Sequence, residues 1–202
     1  MYIFGRYTPL YTDLRIGNEV LPYVEKAKVI GLIIQNDLKW NAQIYDMLSK
    51  VSKRLFMLRS LKKFGFDHEE LIVVYKSYLR PVLEYGDVVW HSGITKNQSK
   101  TIERIQKRAC RTILGHEYSS YSDALNLCNL DSLEDRRTHH CIKFAKGLEQ
   151  NVRTEHLLPP RRNECHSFNL RNSSAISQPR FRTTRFYNSP VPYYTRLLNN
   201  DC

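Results

Sequence analysis

The longest strongly apolar helical stretch of the sequence, LIVVYKSYLRPVLEYGDVVW from Leu71 to Trp90, has a proline in its middle. A helix there must bury one face and must also deform, because Pro81 has no N–H and its ring strains the preceding turn. At about 100° per residue, Leu71, Val74, Tyr75, Tyr78, Leu79, Val82 and Tyr85 fall on one broad face. Asp67, with Glu70 three residues on, is an N-terminal capping signal. The stretch therefore reads as a buried central helix over 67–91, with Tyr75, Tyr78 and Tyr85 in the core and Trp90, like Trp40, as a packing anchor.

Its neighbours are cationic helices. Over 41–64, Ile44, Leu48, Val51, Leu55 and Leu58 recur at spacings of four and three, with Asn41 as a candidate cap and Gly65 as a stop. Lys50, Lys53, Arg54, Arg59, Lys62 and Lys63 are spread around the remainder, the last two suiting the negative end of the helix dipole. A helix from about Thr95 to Leu114 separates its faces more sharply. Ile102, Ile105, Ala109 and Ile113 share one side, and Lys100, Arg104, Lys107, Arg108 and Arg111 occupy an arc of about 100° opposite. Glu103 is the lone acid between Lys100 and Arg111. Further helices are expected over about 120–128 and 132–149, the second with a face of Leu133, Arg137, His140, Phe144 and Leu148.

The ends differ from this middle. Before residue 41 the chain reads as short extended pieces: Tyr2–Phe4, a hairpin from Leu14–Ile16 through Gly17-Asn18 to Val20-Leu21, and Val29–Ile34 as a buried strand. Pieces this short cannot form an independent sheet domain. Beyond Gln150 lysine gives way to Arg, Ser, Asn and aromatics, which reads as a loosely ordered basic tail. Arg161, Arg162, Arg171, Arg180, Arg182, Arg185 and Arg196 interleave there with Phe168, Phe181, Phe186 and Tyr187, a composition suited to single strands or to a linker. The fold class is thus mainly α: a helical bundle with a small N-terminal hairpin and strand region and an irregular C-terminal tail.

Charge and chemistry narrow the function. With 31 Lys plus Arg against 20 Asp plus Glu, a formal +11, the 202-residue chain favours a polyanionic partner. Five irregularly spaced cysteines and no secretory leader point to reduced thiols in a cytoplasmic or nuclear protein. No apolar run nears the roughly 18–20 residues of a membrane span. His139, His140, Cys141, Cys165 and His166 lack the paired spacing of a structural zinc site, so no metal is assigned. Cys110, flanked by arginines, is a candidate for a lowered thiol pKa, but no His or acid is placed to make it a nucleophile.

Several phrases taken in order bear on kinship. AKVIGLIIQNDLKWNAQI resembles the segment Lys-x-Leu-Gly-hydrophobic-x-x-Asp-x-x-Leu-x-Trp-x-x-His-Ile of non-LTR retrotransposon reverse transcriptases. SKRLFMLRSLKKF with LIVVYKSYLRPVLEYGDVVW resembles the helical region after the polymerase palm. IERIQKRACRTILG, YSSYSDALNLCNLDSLEDRR and FYNSPVPYYTRLLN are similar to the later helices and the C-terminal end of the same proteins. The likeness covers nearly the whole chain. Val29-Ile30 and Gln43 depart from the usual residues, and no Asp-Asp palm motif occurs. Nucleotidyl transfer needs convergent carboxylates to hold two Mg²⁺ ions. The aspartates at 13, 37, 46, 67, 87, 123, 131, 135 and 201 are scattered, so no catalytic residue is assigned, and Mg²⁺ would belong to the full-length parent.

The resemblance implies strands from the end of a palm over 1–40, a thumb-like bundle over 41–150 and a basic extension over 151–202. It makes the turn at Ile30, Gly31 and Leu32 primer-grip-like. It also implies RNA and RNA–DNA duplex as partners of Lys50, Lys53, Arg54, Lys62, Lys63 and the Lys100–Arg111 stripe, with a palm supplied by a longer polyprotein. The parent activity would be RNA-directed DNA polymerisation. The rival reading is a helical protein-interaction module or an inert relic, its cationic faces ordinary solvated surface.

Overall fold

The computed structural model describes residues 15–165 and 172–200. Tyr2–Phe4, Asp13, His166, Phe168, Arg171 and Asp201 lie outside them. The chain is mainly α. Strands β1 (Arg15–Ile16), β2 (Glu19–Val20), β3 (Lys26–Val29) and β4 (Leu32–Gln35) precede helices α1 (Asn41–Lys63), α2 (His68–Val74), α3 (Arg80–Glu84), α4 (Asp87–Trp90), α5 (Lys96–Leu114), α6 (Tyr121–Leu127), α7 (Leu133–Gln150), α8 (Arg162–Cys165), α9 (Thr184–Tyr187) and α10 (Pro190–Asn200). Contacts divide the chain into two units, one of residues up to 85 and 94–128, the other of 86–93 and 129 onward.

In the first unit, α1 packs along α5 and against α3, and α2 packs on α5. Val51, Leu55 and Leu58 of α1 and Ile102, Ala109 and Ile113 of α5 are fully buried. The segment after α2 is a π-helical turn, Tyr75–Leu79, which leads directly into α3 with Pro81 in its first turn. This is how the proline is absorbed: a wider turn opens the ladder where the missing N–H and the ring would otherwise break it. The turn also sets the buried face. Residues four apart drift by about 40° per step in an α-helix, and a turn closed by i→i+5 bonds reverses that drift. Leu71, Tyr75, Leu79 and Leu83 consequently form one fully buried row.

That row corrects the face expected from an unbroken 3.6 period. Tyr78 and Tyr85 are exposed rather than core, with Arg54 stacked 4.3 Å from the Tyr78 ring centroid. Tyr75 is the buried tyrosine, and its hydroxyl donates to Gln106 Oε1 at 2.6 Å. The expected single helix to Trp90 also ends early. Gly86, at φ 63°, takes a left-handed conformation that glycine adopts without penalty, and α4 starts afresh beyond it in the other unit.

Caps explain most other boundaries. Asp67 and Glu70 form the reciprocal capping box, Glu70 N–H donating to Asp67 at 2.8 Å and Asp67 N–H to Glu70 at 3.0 Å. Thr95 and Gln98 form a second at the start of α5. Asn41 is not the cap of α1. Trp40 holds that position, and Asn41 Oδ1 accepts from Gln98 Nε2 at 2.8 Å. Cys110 does not become acidic: it is fully buried, and its hydrogen bond to Cys128, followed by burial, pushes its thiol pKa up.

The second unit has its own core of Cys141 and Ala145 from α7, Ile176, and Tyr194 and Leu198 from α10. The buried row on α7 is Leu133, Arg137, Cys141 and Ala145, one position off the expected row at its C-terminal end, and Phe144 is exposed. The stretch read as a loose tail contributes a packed helix. Pro192, Tyr194, Thr195 and Leu198 of α10 are buried, and Tyr194 Oη donates to the Val88 carbonyl. Arg196 does not reach outward, lying 3.6 Å over the Tyr187 ring and donating to the Tyr187 carbonyl at 2.7 Å.

Arg137 is fully buried in this unit. Its guanidinium lies 5.8 Å from the Trp90 ring, and Nε donates to His91 Nδ1 at 3.2 Å. An imidazole that accepts from an arginine must stay neutral. Burial first, and the Arg137 charge second, lower His91 from 6.5 to about 4. Protons therefore bind the unfolded chain more readily between those values, and the sign is set: His91's contribution is complete above about pH 6.5 and is lost as pH falls toward 4. Urea unfolding at pH 7.5 and pH 4.5 should show a drop that His91→Gln makes smaller. An equal drop in the variant would mean that His91 is not held neutral.

Candidate nucleic-acid interface

Most of the residues singled out by sequence fall in two places on the first unit, while Lys53, Lys62 and Lys63 of α1 fall in neither. The first is a cleft of about 440 Å³ lined by Lys28, Gly31, Gln43, Asp46, Met47, Lys50, Arg54, Pro81, Val82 and Tyr85. One wall is the turn between β3 and β4. Val29–Ile34 is not one buried strand but the two arms of an antiparallel hairpin, with Val29 opposite Leu32 and Lys26 opposite Gln35. Ile30 and Gly31 form its two-residue turn at φ 47° and 80°. Positive φ at both positions is what a type I′ hairpin turn requires, and it overrides the strand preference of the surrounding β-branched residues.

Two glutamines fix the hairpin to the helix. Ile33 N–H donates to Gln43 Oε1 at 2.8 Å, and Ala42 N–H donates to Gln35 Oε1 at 2.7 Å, satisfying a donor in the first turn of α1. At the tip, Tyr85 Oη donates to the Ile30 carbonyl at 2.8 Å. A Cβ on Gly31 would approach that oxygen to 3.0 Å, so Gly31 is needed both for its φ and for room. Leu32 is buried, while Ile30 is 87% exposed.

The α1 cations in and around this cleft have unequal freedom. Lys50 is paired with Asp46 at 2.6 Å. Arg54 is half-buried and engaged with Tyr78, donating to its carbonyl and covering its ring. Lys53 and Lys63 are exposed and Lys62 is half-buried. The interface available from α1 is therefore narrower than the sequence suggests.

The second place is the outer face of α5. Lys100, Arg104, Arg108 and Arg111 are exposed and Lys107 is half-buried, opposite the buried Ile102, Ile105, Ala109 and Ile113. Among the described residues, none of the five cations makes an ion pair within 4.0 Å. Lys107 lies 4.7 Å from the Tyr121 ring and Arg111 lies 5.0 Å from the Tyr118 ring. Glu103, the acid in the stretch, accepts from the Tyr121 hydroxyl. Rings on the following segment thus steady two cations without neutralising them.

The described aspartates near these surfaces and beyond them are engaged locally. Asp37 caps a turn, Asp46 pairs with Lys50, and Asp67, Asp123 and Asp135 serve helix N-termini. Asp87, in the second unit, holds His140 at 2.6 Å beside a concavity of about 610 Å³, a pairing that no local sequence pattern signals. Among the described residues, no three His, Cys, Asp or Glu side chains gather as a metal ion would need. No helix there is long and apolar enough to cross a membrane. The donor set needed for a pair of Mg²⁺ ions is not provided by these residues. Searches against family models, curated proteins and solved structures find no match to this chain.

Sequence reasoning did not foresee the contacts of Gln35, Gln43 and Tyr85: Tyr85 is expected in the core, and Gln43 is noted only as a departure from the usual residue. The signal for the turn was present, since Ile30-Gly31 is a two-residue break between apolar arms. It was masked because isoleucine is among the residues least suited to a left-handed conformation. Ile30→Asn creates Asn-Gly, the preferred type I′ pair, and should raise stability by about 1 kcal/mol in urea unfolding. A loss of stability instead would show that the isoleucine side chain contributes a contact that outweighs its backbone cost.

Proposed function

We propose that this chain is a non-catalytic nucleic-acid-binding segment of the reverse-transcriptase kind, corresponding to the thumb and C-terminal extension of a non-LTR retrotransposon polymerase. The observation that carries the reading is the outer face of α5, a row of five cations, four of them exposed, without an ion-paired carboxylate among the described residues. From Lys100 to Arg111 it extends about 16 Å at 1.5 Å per residue. That length equals about five base-pair steps of a duplex, each strand advancing about 3.4 Å along the axis per phosphate. Lysine and arginine in such a row contact backbone rather than bases, giving affinity without sequence preference. The partner of this reading is RNA or an RNA–DNA duplex, and chemistry would come from a palm on a longer polyprotein.

A second reading, a protein-interaction module, draws on exposed apolar side chains such as Phe64 and Val73. The α5 stripe favours the first, because a docking surface for a protein has no need of one sign over so long a row.

Fluorescence anisotropy of a labelled RNA–DNA duplex across a salt series separates the two. Affinity should fall steeply with salt, and Lys107→Glu with Arg108→Glu should lower the log–log slope by about 2. Binding that is absent, or whose slope is unchanged by the double reversal, would remove the proposal and leave the interaction module.

A further inference from the structure

The outward face of α1 carries a feature that the duplex reading leaves unused. Tyr45 is 78% exposed and Phe56 is 68% exposed, on a helix whose other face is buried. At about 100° per residue, Tyr45, Phe56 and Lys63 fall within about 20° of one line along the helix. Lys53 and Arg59, both exposed, lie about 60° to either side of Phe56, and the only residues between the rings on that line are the exposed Ser49 and Ser52. Both rings stand on the face of this 23-residue helix opposite its buried one.

We propose that this face of α1 is a single-strand platform, on which Tyr45 and Phe56 stack unpaired bases while Lys53 contacts phosphate between the rings and Arg59 and Lys63 contact phosphates beyond Phe56. Three features favour a nucleic acid over a protein. Phe56 is flanked by the cations Lys53 and Arg59, three residues to either side, and the chain carries a formal +11. Bases present flat π faces to rings whatever the sequence. The serines between the rings leave the path between them low, where an apolar partner would want filling side chains. Tyr45 and Phe56 are about 16 Å apart along the helix at 1.5 Å per residue. At about 3.4 Å per stacked nucleotide, a strand that reaches both rings needs about six nucleotides. The platform extends the proposed function from paired to unpaired nucleic acid and rests on the same electrostatic reading, but on different residues.

The test uses labelled oligothymidylates of about 4 and about 12 nucleotides with the full chain. The longer probe should bind more than tenfold more tightly than the shorter, since the shorter reaches one ring. Phe56→Ala should weaken the longer probe by about 5- to 100-fold with the salt slope unchanged, because a stacked base and no charge is lost. Phe56→Trp should restore binding. Phe56 is exposed, and far-ultraviolet circular dichroism should match that of the parent chain.

Unchanged binding by the folded Phe56→Ala variant overturns the platform, and so does equal affinity for the two lengths. These outcomes are separable from the fate of the duplex reading. If the α5 reversal lowers the duplex salt slope while Phe56→Ala changes nothing, the duplex grip stands and the platform falls. If Phe56→Ala weakens single strands while the α5 reversal leaves duplex binding intact, the platform stands and the grip falls.

Discussion

Pro81 constrains the first unit more than any other residue. It sits in a helix that has to be buried, so the chain can neither end there nor continue regularly. The π-helical turn over Tyr75–Leu79 resolves the conflict, and the resolution has consequences at a distance. By bringing Leu71, Tyr75, Leu79 and Leu83 into one row it gives α1 and α5 a straight apolar ridge to pack on. By the same rotation it turns Tyr78 and Tyr85 outward. Tyr78 then becomes a seat for Arg54, and Tyr85 becomes the donor that ties down the tip of the β3–β4 hairpin. One missing N–H therefore decides which tyrosine is core, which cation is occupied and where the hairpin points.

The hairpin shows a second constraint, the need to satisfy polar backbone. A two-stranded ribbon of four-residue strands is marginal alone. Gln35 and Gln43 dock it to the first turn of α1, each side chain accepting a backbone N–H of the other element. The tip is left with an exposed isoleucine in a left-handed conformation, a cost that persists because both sides of the turn are fixed. The cleft below is defined by the same contacts, and its cations are partly committed to the fold: Lys50 to Asp46 and Arg54 to Tyr78.

How much could be read from sequence depends on how local each determinant is. α1 and α5 were legible nearly to the residue, because a 3.6 period is written in adjacent positions, although Asn41 does not cap α1 as its place suggests. Mainly α architecture comes from them. The buried face after Leu71 was not legible, because a π turn shifts the period, and neither 3.6-residue spacing nor the presence of a proline says by how much. Residue pattern alone reads Val29–Ile34 as a strand, while the resemblance places a turn at Ile30, Gly31 and Leu32; the turn at Ile30 is held by Tyr85 and Gln43, which are distant in sequence. The packing of α10 escaped composition arguments for a related reason. Tyr194 and Leu198 find their partners on α7, some fifty residues earlier. Among candidate site residues the α5 stripe was legible as a face, whereas the pairing of Lys50 and Arg54 needed coordinates.

The contrast between α1 and α5 bears on why the stripe matters. Helix stability alone is served by mixing signs, as α1 does with Asp46 four residues before Lys50. On α5 five cations share an arc of about 100°, and like charges at i,i+4, such as Lys100 with Arg104 and Arg104 with Arg108, oppose the fold by a few tenths of a kcal/mol each. The Lys107–Tyr121 and Arg111–Tyr118 stacks steady two of these side chains without cancelling their charge. A surface selected for solubility could take acids at any of these positions. On the function we propose, a face that keeps its repulsion, adds rings to hold it and places the lone acid against a tyrosine hydroxyl serves a negative partner from outside the chain.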